Sequence, residues 1–413
     1  MAPTASETAL DVRADFPILG RELEGGRLVY LDSSSTSQKP AAVLAAMDDY
    51  YRNHNANIHR GIYKLAQESD ALFEGARERI AAFLRWPVAS TIFTANVTAA
   101  INLVAYSWAR TFLRPGSAVL ISEMEHHSNI VPWQQAAAAT GAQLRYLEVA
   151  DDGTLSLEQR DAELARGDVA LVALTHVSNV LGTINPVAEI VHRAHDAGAL
   201  ALIDGAQAVP QLEVDLTAID ADFYAWTGHK ALGPTGVGVL HARAELLEQM
   251  PPFLSGGDMI ATVEAQSSSW NELPWKFEAG TSMIAQVVGL GAAIDYLDAL
   301  GMANIRAHEH ALTAYTLERL SATDGVSLFG PPSAEHRGGV VSFALEGIHP
   351  HDVAELLSRS NVCIRASHHC AQPLMRRLGV VATARASFGP YNVAADVDAL
   401  IEAIERAQEV FEG

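Results

Sequence analysis

The stretch Ala225-Trp226-Thr227-Gly228-His229-Lys230-Ala231-Leu232-Gly233-Pro234-Thr235-Gly236 presents a lysine at the end of a strand-like run. A glycine-rich segment follows that lysine and leads into a second strand-like run, Val237 to Leu240. Lysine can form a Schiff base with a carbonyl cofactor, and it acts as a nucleophile when its surroundings lower its pKa. The pattern predicts a Schiff-base lysine at Lys230, with a solvated turn lysine as the alternative. The chain has only four lysines: Lys39, Lys64, Lys230 and Lys276.

The composition is that of an ordinary globular protein, with 49% hydrophobic and 19% charged residues. By length, its 413 residues are enough for two or three domains, and a large α/β domain with a second, smaller domain also fits. The net charge of -21 argues against a nucleic-acid or anionic membrane surface, because either would need a clustered basic face.

Targeting signals are not evident in the sequence. The segment Met1 to Gly20 carries Glu7, Asp11 and Asp15 and has no apolar core of a signal peptide. No run approaches the roughly 18 apolar residues of a membrane span. Two cysteines, Cys363 and Cys370, cannot build a disulfide framework. We therefore expect a cytoplasmic protein.

Short β-rich runs alternate with helical ones through most of the chain. This alternation predicts a mostly parallel sheet that is buried on both faces, and therefore an α/β fold. Ligand sites in such sheets lie beyond the carboxyl ends of the strands. The candidate strands are Leu28 to Asp32, Ile92 to Thr94, Ala118 to Ile121, Leu144 to Leu147, Val169 to Leu174, Ala199 to Ile203, Asp222 to Trp226 and Val237 to Leu240.

Polar groups follow five of these strands, where a site is expected. Each group alone is consistent with a helix N-cap or a turn. Five such groups at one sheet edge instead predict a shared site. They are Asn96-Val97-Thr98, Glu125-His126-His127-Ser128-Asn129, Thr175-His176-Val177-Ser178-Asn179, Asp204-Gly205-Ala206-Gln207 and Thr227-Gly228-His229-Lys230. The serine run Ser33 to Ser37 is interpreted as a plain loop.

The pattern changes after the long apolar helix Ile284 to Leu300, which ends at Gly301. The following helices and strands predict a smaller α+β domain that closes over the large one. The expected division is an N-terminal arm at 1–28 that packs with the small domain, a large cofactor-binding domain at 29–300 and a small C-terminal domain at 301–413 that carries Cys370.

These residue types match the needs of a pyridoxal 5'-phosphate (PLP) site. Lys230 would hold the aldehyde, and Asp204 would keep the pyridine nitrogen protonated. His126 is the candidate for an aromatic lid on the ring. The phosphate needs free backbone N–H groups at a helix start, which Asn96 to Ala99 supplies.

Six motifs together resemble those of the Suf-type cysteine desulfurases, close relatives of the selenocysteine lyases. The motifs follow the family's order, and the resemblance extends over nearly the whole chain, from about Val12 to Glu405. They are Leu31-Asp32-Ser33, Val119 to Pro132 with Glu125-His126-His127, Thr175 to Asn179, Asp204 to Gln207, Gly228-His229-Lys230, and Arg365 to Cys370.

This resemblance implies a homodimeric fold-type-I PLP enzyme of the class V aminotransferase group, whose large domain has a mostly parallel seven-stranded sheet. Lys230 would carry the Schiff base, and His126 would stack on the ring and transfer protons. Other roles implied by matching positions are Asp204 at the pyridine nitrogen, Gln207 at the ring hydroxyl, and Asn96, Val97, Thr98, Thr227 and His229 at the phosphate. Thr281 would reach in from the partner subunit, Asn179 and Arg385 would bind the substrate carboxylate, and His59 and Arg365 would line the pocket.

The resemblance also implies a catalytic cysteine, Cys370, whose thiolate takes sulfur from L-cysteine and leaves L-alanine. His368, His369 and Arg365 are near it in sequence and could favour the thiolate. Cys363, in a predicted strand, fits a buried small hydrophobe. A zinc site at His368-His369-Cys370 is the weaker interpretation, because no fourth ligand or spacing supports it, and no metal is expected.

Several positions depart from the family pattern. Ala95 to Ala99 lacks one hydroxyl of the usual phosphate loop, Ser367 replaces a glycine, and Ser34 and Ser35 replace small apolar residues. Ser282-Met283 stands where Pro-Asn is common. These changes leave the native substrate open.

Three functions are therefore considered. The first is a cysteine desulfurase that passes sulfur to an acceptor protein, for iron–sulfur cluster assembly or other sulfur metabolism. The second is a selenocysteine lyase or another PLP-dependent C–S lyase. The third is an inactive sulfur-relay scaffold, which the intact Lys230, Asp204, His126 and Arg385 count against.

Overall fold

The large sheet of this computed structural model has seven strands, and the structure describes residues 10–24 and 26–412. Residues 1–9 and 25 of the predicted N-terminal arm lie outside the described residues. The strands are β1 (Thr91–Thr94), β2 (Ala118–Ser122), β3 (Gln143–Leu147), β4 (Val169–Thr175), β5 (Leu200–Asp204), β6 (Phe223–Thr227) and β7 (Gly238–Ala242). Their spatial order is β1-β7-β6-β5-β4-β2-β3.

Parallel pairing dominates this sheet, which confirms the prediction. Strands β3, β2, β4, β5 and β6 pair in parallel, and β7 runs antiparallel to both of its neighbours. Successive residues of β4 alternate between two apolar layers: Val172 and Leu174 pack on one face, and Leu171 and Ala173 on the other. Both faces are covered because the connections between parallel strands are helices.

The helices that cover the large sheet have the lengths expected of such connections. The long helix Ile284–Leu300 packs against Ala41–Asp49 and Lys64–Phe83. The other covering helices are Val97–Leu103 and its continuation to Phe112, Val131–Thr140, Leu157–Leu164, Val187–Asp196, Leu216–Ile219 and Ala244–Gln249.

A second, four-stranded antiparallel sheet lies in the C-terminal part of the chain. Its strands occur in the order Val326–Phe329, Val340–Leu345, Thr383–Ser387 and Arg365–Ser367. Its helices are Met302–Ser321, Pro350–Ser358, Gln372–Arg377 and Ala394–Glu412. The remaining strand pairs are Glu22–Leu23 with Gly26–Arg27 and Ile260–Val263 with Ser268–Trp270.

The first predicted strand lies outside the seven-stranded sheet. Val29–Tyr30 pairs in parallel with Val362–Cys363, so an early segment is hydrogen-bonded to a late one. The segment predicted as one strand from Val362 to Arg365 is two short strands, because Arg365–Ser367 pairs instead with Thr383–Ser387. This pairing brings the serine run after Val29–Tyr30 close to the C-terminal residues.

Among the described residues, no single helix is long and apolar enough to cross a membrane. The pair Ile284–Leu300 and Met302–Ser321 reaches that length and composition together, but the two helices bend by 76° at Gly301.

Candidate active site

Lys230 lies in a short helical turn directly after the buried strand β6. Ala231 N and Gly233 N both donate to the carbonyl oxygen of Gly228 at 3.0 Å, which closes the turn. Gly228 has to be small, because a Cβ there would lie 2.9 Å from Val237 Cγ1. The sheet therefore holds the lysine at its carboxyl edge, as the sequence predicts.

Burial lowers the pKa of Lys230 to about 8, so part of the amine is uncharged near neutral pH. Arg385 and Arg365 lower the pKa further, whereas Asp204 and Cys370 oppose this shift. A neutral amine is the form that attacks a carbonyl carbon.

Lys230 lines a cavity of about 290 Å³ together with most of the predicted site residues. Thr227, Thr281 and His59 are the three predicted residues that do not line it. The residues that do are Asn96, Val97, Thr98, His126, Asn179, Asp204, Gln207, His229, Lys230, Arg365, Cys370 and Arg385.

The three remaining residues lie elsewhere. Thr227 is buried in β6, and its Oγ1 is 3.5 Å from Val237 O. Thr281 is exposed at the surface of the chain. His59 lines a different cavity beside Trp275, and its Nε2 is 3.1 Å from Glu74 Oε1. Their predicted roles are not met within one chain and stay predictions.

Asp204 ends strand β5 and is 3% exposed. Its Oδ1 accepts a hydrogen bond from Ala206 N at 3.0 Å. Burial raises the pKa of Asp204, while the Ala206 N–H group and Lys230 lower it. A cation placed in the cavity would favour the ionised carboxylate.

His126 is held in one tautomer by its neighbours. Ser128 N donates to His126 Nδ1 at 3.1 Å, so the proton of the neutral ring is on Nε2. Ser128 Oγ is 3.0 Å from the same nitrogen and 2.6 Å from Thr98 Oγ1. Burial lowers the pKa of His126 to about 3, so the ring is neutral in the physiological range.

Arg385 lies at one side of the cavity and is 2% exposed. Its Nη1 donates to Asn179 O at 2.8 Å, and its Nη2 donates to Ser35 Oγ at 2.8 Å and Asp32 Oδ1 at 3.1 Å. Its Nε is buried and has no hydrogen-bond partner in the structure. An unpaired guanidinium N–H beside a cavity suits a carboxylate ligand. Arg365 Nη1 also donates to Ser35 Oγ, at 2.9 Å.

Cys370 lies in a loop in which two successive residues adopt left-handed conformations. The φ angles are 50° at His369 and 55° at Cys370, which is costly for residues with a Cβ. Hydrogen bonds compensate for this cost. His127 N donates to Cys370 O at 2.7 Å, Cys370 N to His368 Nδ1 at 3.1 Å, and His369 N to Ser367 Oγ at 2.7 Å.

The cavity also contains residues that the sequence did not predict as site residues. Ser34 and Ser35 come from the serine run interpreted as a plain loop, and no periodicity distinguished them. His369 was noted only for its effect on the thiolate, although it lines the cavity. Ser128, Thr175, Val177 and Ala206 belong to the polar groups after the strands, so position after a strand was the signal available.

Comparisons with known proteins agree with this geometry. The family model "Aminotransferase class-V" matches residues 29–400. The chain is 50% identical to a probable cysteine desulfurase of Halobacterium salinarum, over 97% of this chain and 96% of that protein. It is 47% identical to a cysteine desulfurase of Haloferax volcanii, over 97% of each.

Solved structures give the same result. The apo structure of a cysteine desulfurase from Thermococcus onnurineus matches with a TM-score of 0.92 at 37% identity, over 97% of this chain and 98% of that one. A cysteine desulfurase structure from Escherichia coli matches with a TM-score of 0.89 at 36% identity, over 99% of this chain and 100% of that one.

Proposed function

The chain belongs to the class V aminotransferase family, and we propose that it is a PLP-dependent cysteine desulfurase that converts L-cysteine to L-alanine. The observation that carries this proposal is the shared cavity of Lys230 and Cys370, which brings an amine of lowered pKa and a thiol to one ligand. Relatives with the same activity in their names cover nearly the whole chain.

The residues of the cavity fit the cofactor. Asp204 would pair with the pyridine nitrogen, and Gln207 with the ring hydroxyl. The phosphate would bind at the N–H groups of Val97 and Thr98, with His229 beside them. Gly238 of β7 allows the chain to pass close to this helix start, since a Cβ there would lie 2.5 Å from Asn96 C.

Bound PLP supplies an electron sink that lets bonds at the substrate Cα and Cβ break. Lys230 Nζ would hold the cofactor and then accept the Cα proton of the substrate, which its lowered pKa favours. His126, neutral and fixed as the Nε2–H tautomer, would stack on the ring and take part in proton transfer, with Nε2 giving up a proton while Nδ1 takes one from Ser128 Oγ.

Cys370 would act as the second catalytic group. Its thiolate would attack the substrate sulfur, so that a new S–S bond forms as the substrate Cβ–S bond breaks. The Cβ atom then gains a proton and becomes the methyl group of alanine. The balanced outcome is cysteine plus the Cys370 thiol giving alanine plus a Cys370 persulfide.

Arg385 would fix the substrate by its carboxylate. The unpaired Nε donor can bind one carboxylate oxygen, while Nη1 and Nη2 are held by Asn179, Ser35 and Asp32 and fix the orientation of the guanidinium. Asn179 would assist, since its carbonyl oxygen orients Arg385 and its Nδ2 donates to His369 O at 2.9 Å. Arg365 would line the cavity entrance, where its side chain is 46% exposed.

The quaternary and cellular roles complete the proposal. A homodimer would explain why Thr281 is exposed and why His59 lies outside the cavity of its own chain. An acceptor thiol, on a protein partner, would receive the persulfide sulfur in the cytoplasm. The proposed division is a large domain at 29–300, a small domain at 301–413 and an N-terminal arm at 1–28 that packs with the small domain. A hydrogen bond from Leu10 N to His308 Nδ1, at 3.2 Å, supports this placement of the arm.

A persulfide measurement tests this function. We expect wild-type protein with L-cysteine to form alanine, and the Cys370 peptide to gain the mass of one sulfur atom. Cys370→Ala should bind PLP but lose alanine formation, because the sulfur has no acceptor. Cys363→Ala is the matched control and should keep activity. Full activity in Cys370→Ala would contradict sulfur transfer and indicate direct β-elimination.

A further inference from the structure

The carbonyl oxygen of His229, the residue before Lys230, lies within hydrogen-bond distance of four donors. They are Lys39 Nζ at 2.8 Å, Ser37 N at 3.0 Å, Thr36 Oγ1 at 3.1 Å and Ser37 Oγ at 3.1 Å. All four come from the segment 36–39, which precedes the helix Ala41–Asp49. A carbonyl oxygen has two lone pairs, so this convergence is unusual.

Lys39 is the charged member of this group. Its Nζ also lies 2.6 Å from Ser37 O and 3.3 Å from Ser37 Oγ, so its three N–H groups have three oxygen acceptors. Burial is the only resolved influence on its pKa, so no carboxylate of the described residues offsets the cost of its charge. Burial lowers the pKa of Lys39 to about 7. Burying a cation without an acidic partner is costly, so packing alone would be served better by an apolar side chain.

Segment 36–39 contacts both sides of the Lys230 turn. Besides its contacts with His229 O, Ser37 Oγ accepts a hydrogen bond from Leu232 N at 3.0 Å. The peptide groups before and after Lys230 are therefore tied to one loop. Lys39 does not line the substrate cavity, so its contact with the lysine turn is through the backbone oxygen of His229.

We propose that Lys39 is a positioning residue whose ammonium group, through the carbonyl oxygen of His229, fixes the turn that carries Lys230. When Lys39 is protonated, its charge-assisted hydrogen bond is stronger than those of the three neutral donors to the same oxygen. The inference rests on the proposed function, because a fixed amine matters where Lys230 must hold a cofactor and move a proton.

The test compares Lys39→Met with Lys39→Arg, and with Lys64→Met as the control, since Lys64 is an exposed lysine at the start of Lys64–Phe83. Each variant is loaded with PLP, and the cofactor absorbance is titrated with pH. We expect the midpoint to shift in Lys39→Met, because a loosened turn changes the distances from Lys230 to Asp204 and Arg385, whose charges act on its pKa. Lys39→Arg should stay near the wild-type midpoint, and Lys64→Met should match it.

Kinetics supply the second readout. In Lys39→Met, kcat should fall by about tenfold or more while KM for cysteine changes by less than about twofold, because a displaced amine impairs chemistry rather than binding. Lys39→Arg should recover part of this loss. A wild-type midpoint and kcat in Lys39→Met, or a Lys39→Arg variant no better than Lys39→Met, would overturn the proposal.

Two further outcomes are distinguishable. If Lys39→Met does not fold, Ser37→Ala is tested instead. The Ser37→Ala change removes one donor to His229 O and one acceptor of Lys39. An unchanged absorbance midpoint and kcat in Ser37→Ala would contradict the proposal. If wild-type protein forms no alanine from cysteine, the proposed function fails, whereas the absorbance titration still measures the effect of Lys39 on Lys230.

Discussion

Lys230 and Cys370 line the same cavity, but they are held in different ways. Lys230 follows a fully buried strand, its turn is closed by backbone hydrogen bonds, and segment 36–39 bonds to the turn from the side away from the cavity. Cys370 lies in a loop of left-handed residues that depends on side chains, namely Ser367, His368 and Asn179. The lysine turn is thus anchored to a buried strand and reinforced by segment 36–39, whereas the cysteine loop depends on polar side-chain contacts.

This difference suggests separate tasks. The amine must keep one position through every turnover, and a strand end provides that rigidity. Under the proposed function, the thiol would receive sulfur inside the cavity and then offer it to an acceptor, and a loop can change its conformation more readily than a strand. Changes at the lysine turn should therefore alter the cofactor, and changes at the cysteine loop should alter sulfur transfer alone.

The largest expected effect comes from Lys230→Ala. We expect cysteine turnover to fall by at least about a thousandfold, because the covalent anchor and the proton acceptor are lost together. Gel filtration should then separate the cofactor from the variant, which it should not do for wild-type protein. Lys64→Ala should resemble wild type. Appreciable turnover by Lys230→Ala would show that another amine holds the cofactor.

Gly228→Ala tests the rigidity of the lysine turn without removing any functional group. Its Cβ would lie 2.9 Å from Val237 Cγ1, 3.2 Å from Leu290 Cδ1 and 3.3 Å from Pro234 O, so the turn or the side chains packed on it must shift. We expect a loss of stability of about 1–3 kcal/mol in thermal unfolding and a fall in kcat of about a hundredfold. Gly20→Ala is the control, since no atom lies within 4 Å of its Cβ. Normal kcat in Gly228→Ala would mean that the turn tolerates displacement.

The pKa of Lys230 predicts how cofactor attachment depends on pH. Only the neutral amine attacks the aldehyde, so the rate of PLP attachment to apoprotein should rise with pH and level off above about 8. Below that value the rate should fall about tenfold for each pH unit. Stopped-flow absorbance measures this rate. A plateau that begins only near the pKa of a free lysine would show that burial does not lower the pKa of this amine.

Much of the fold follows from local sequence. The predicted strand Leu144 to Leu147 is Gln143–Leu147 in the structure, and the helix Ile284 to Leu300 has the predicted bounds. Long apolar runs and their periodicity determine these elements. The pairing of Val29–Tyr30 with Val362–Cys363 was not predictable, because it joins segments more than 300 residues apart.

The site was predictable to the extent that its residues follow strands. Asp204 and Lys230 were found in this way, because parallel strands bring their carboxyl ends together. Ser35 and Lys39 were not predicted, because they lie in a loop without periodicity. Their partners, the Arg385 guanidinium and the backbone oxygen of His229, are far away in sequence. The left-handed conformation at Cys370 was also unpredictable, because it depends on contacts with His127 and Asn179.

The smallest effect is expected at the cysteine loop, from a change of Ser367. Its Oγ accepts a hydrogen bond from His369 N at 2.7 Å, next to the two left-handed residues. Ser367→Gly removes this bond and adds backbone freedom, which together cost about 1–2 kcal/mol in loop stability. Persulfide formation in a single turnover should slow by less than about tenfold. The cofactor absorbance should not change, because Lys230 is held by the sheet.

Two matched variants separate the causes of that effect. Ser367→Thr keeps the hydroxyl and should retain the wild-type rate of persulfide formation. Ser367→Ala loses the hydroxyl but does not gain the backbone freedom of glycine, so its rate should lie between those of wild type and Ser367→Gly. If Ser367→Gly instead shifts the cofactor absorbance, the two regions are coupled, and the separation of tasks is wrong. Equal rates in all four proteins would mean that His127 and Asn179 alone suffice to hold the loop, because their bonds to Cys370 O and His369 O are unaffected by these changes.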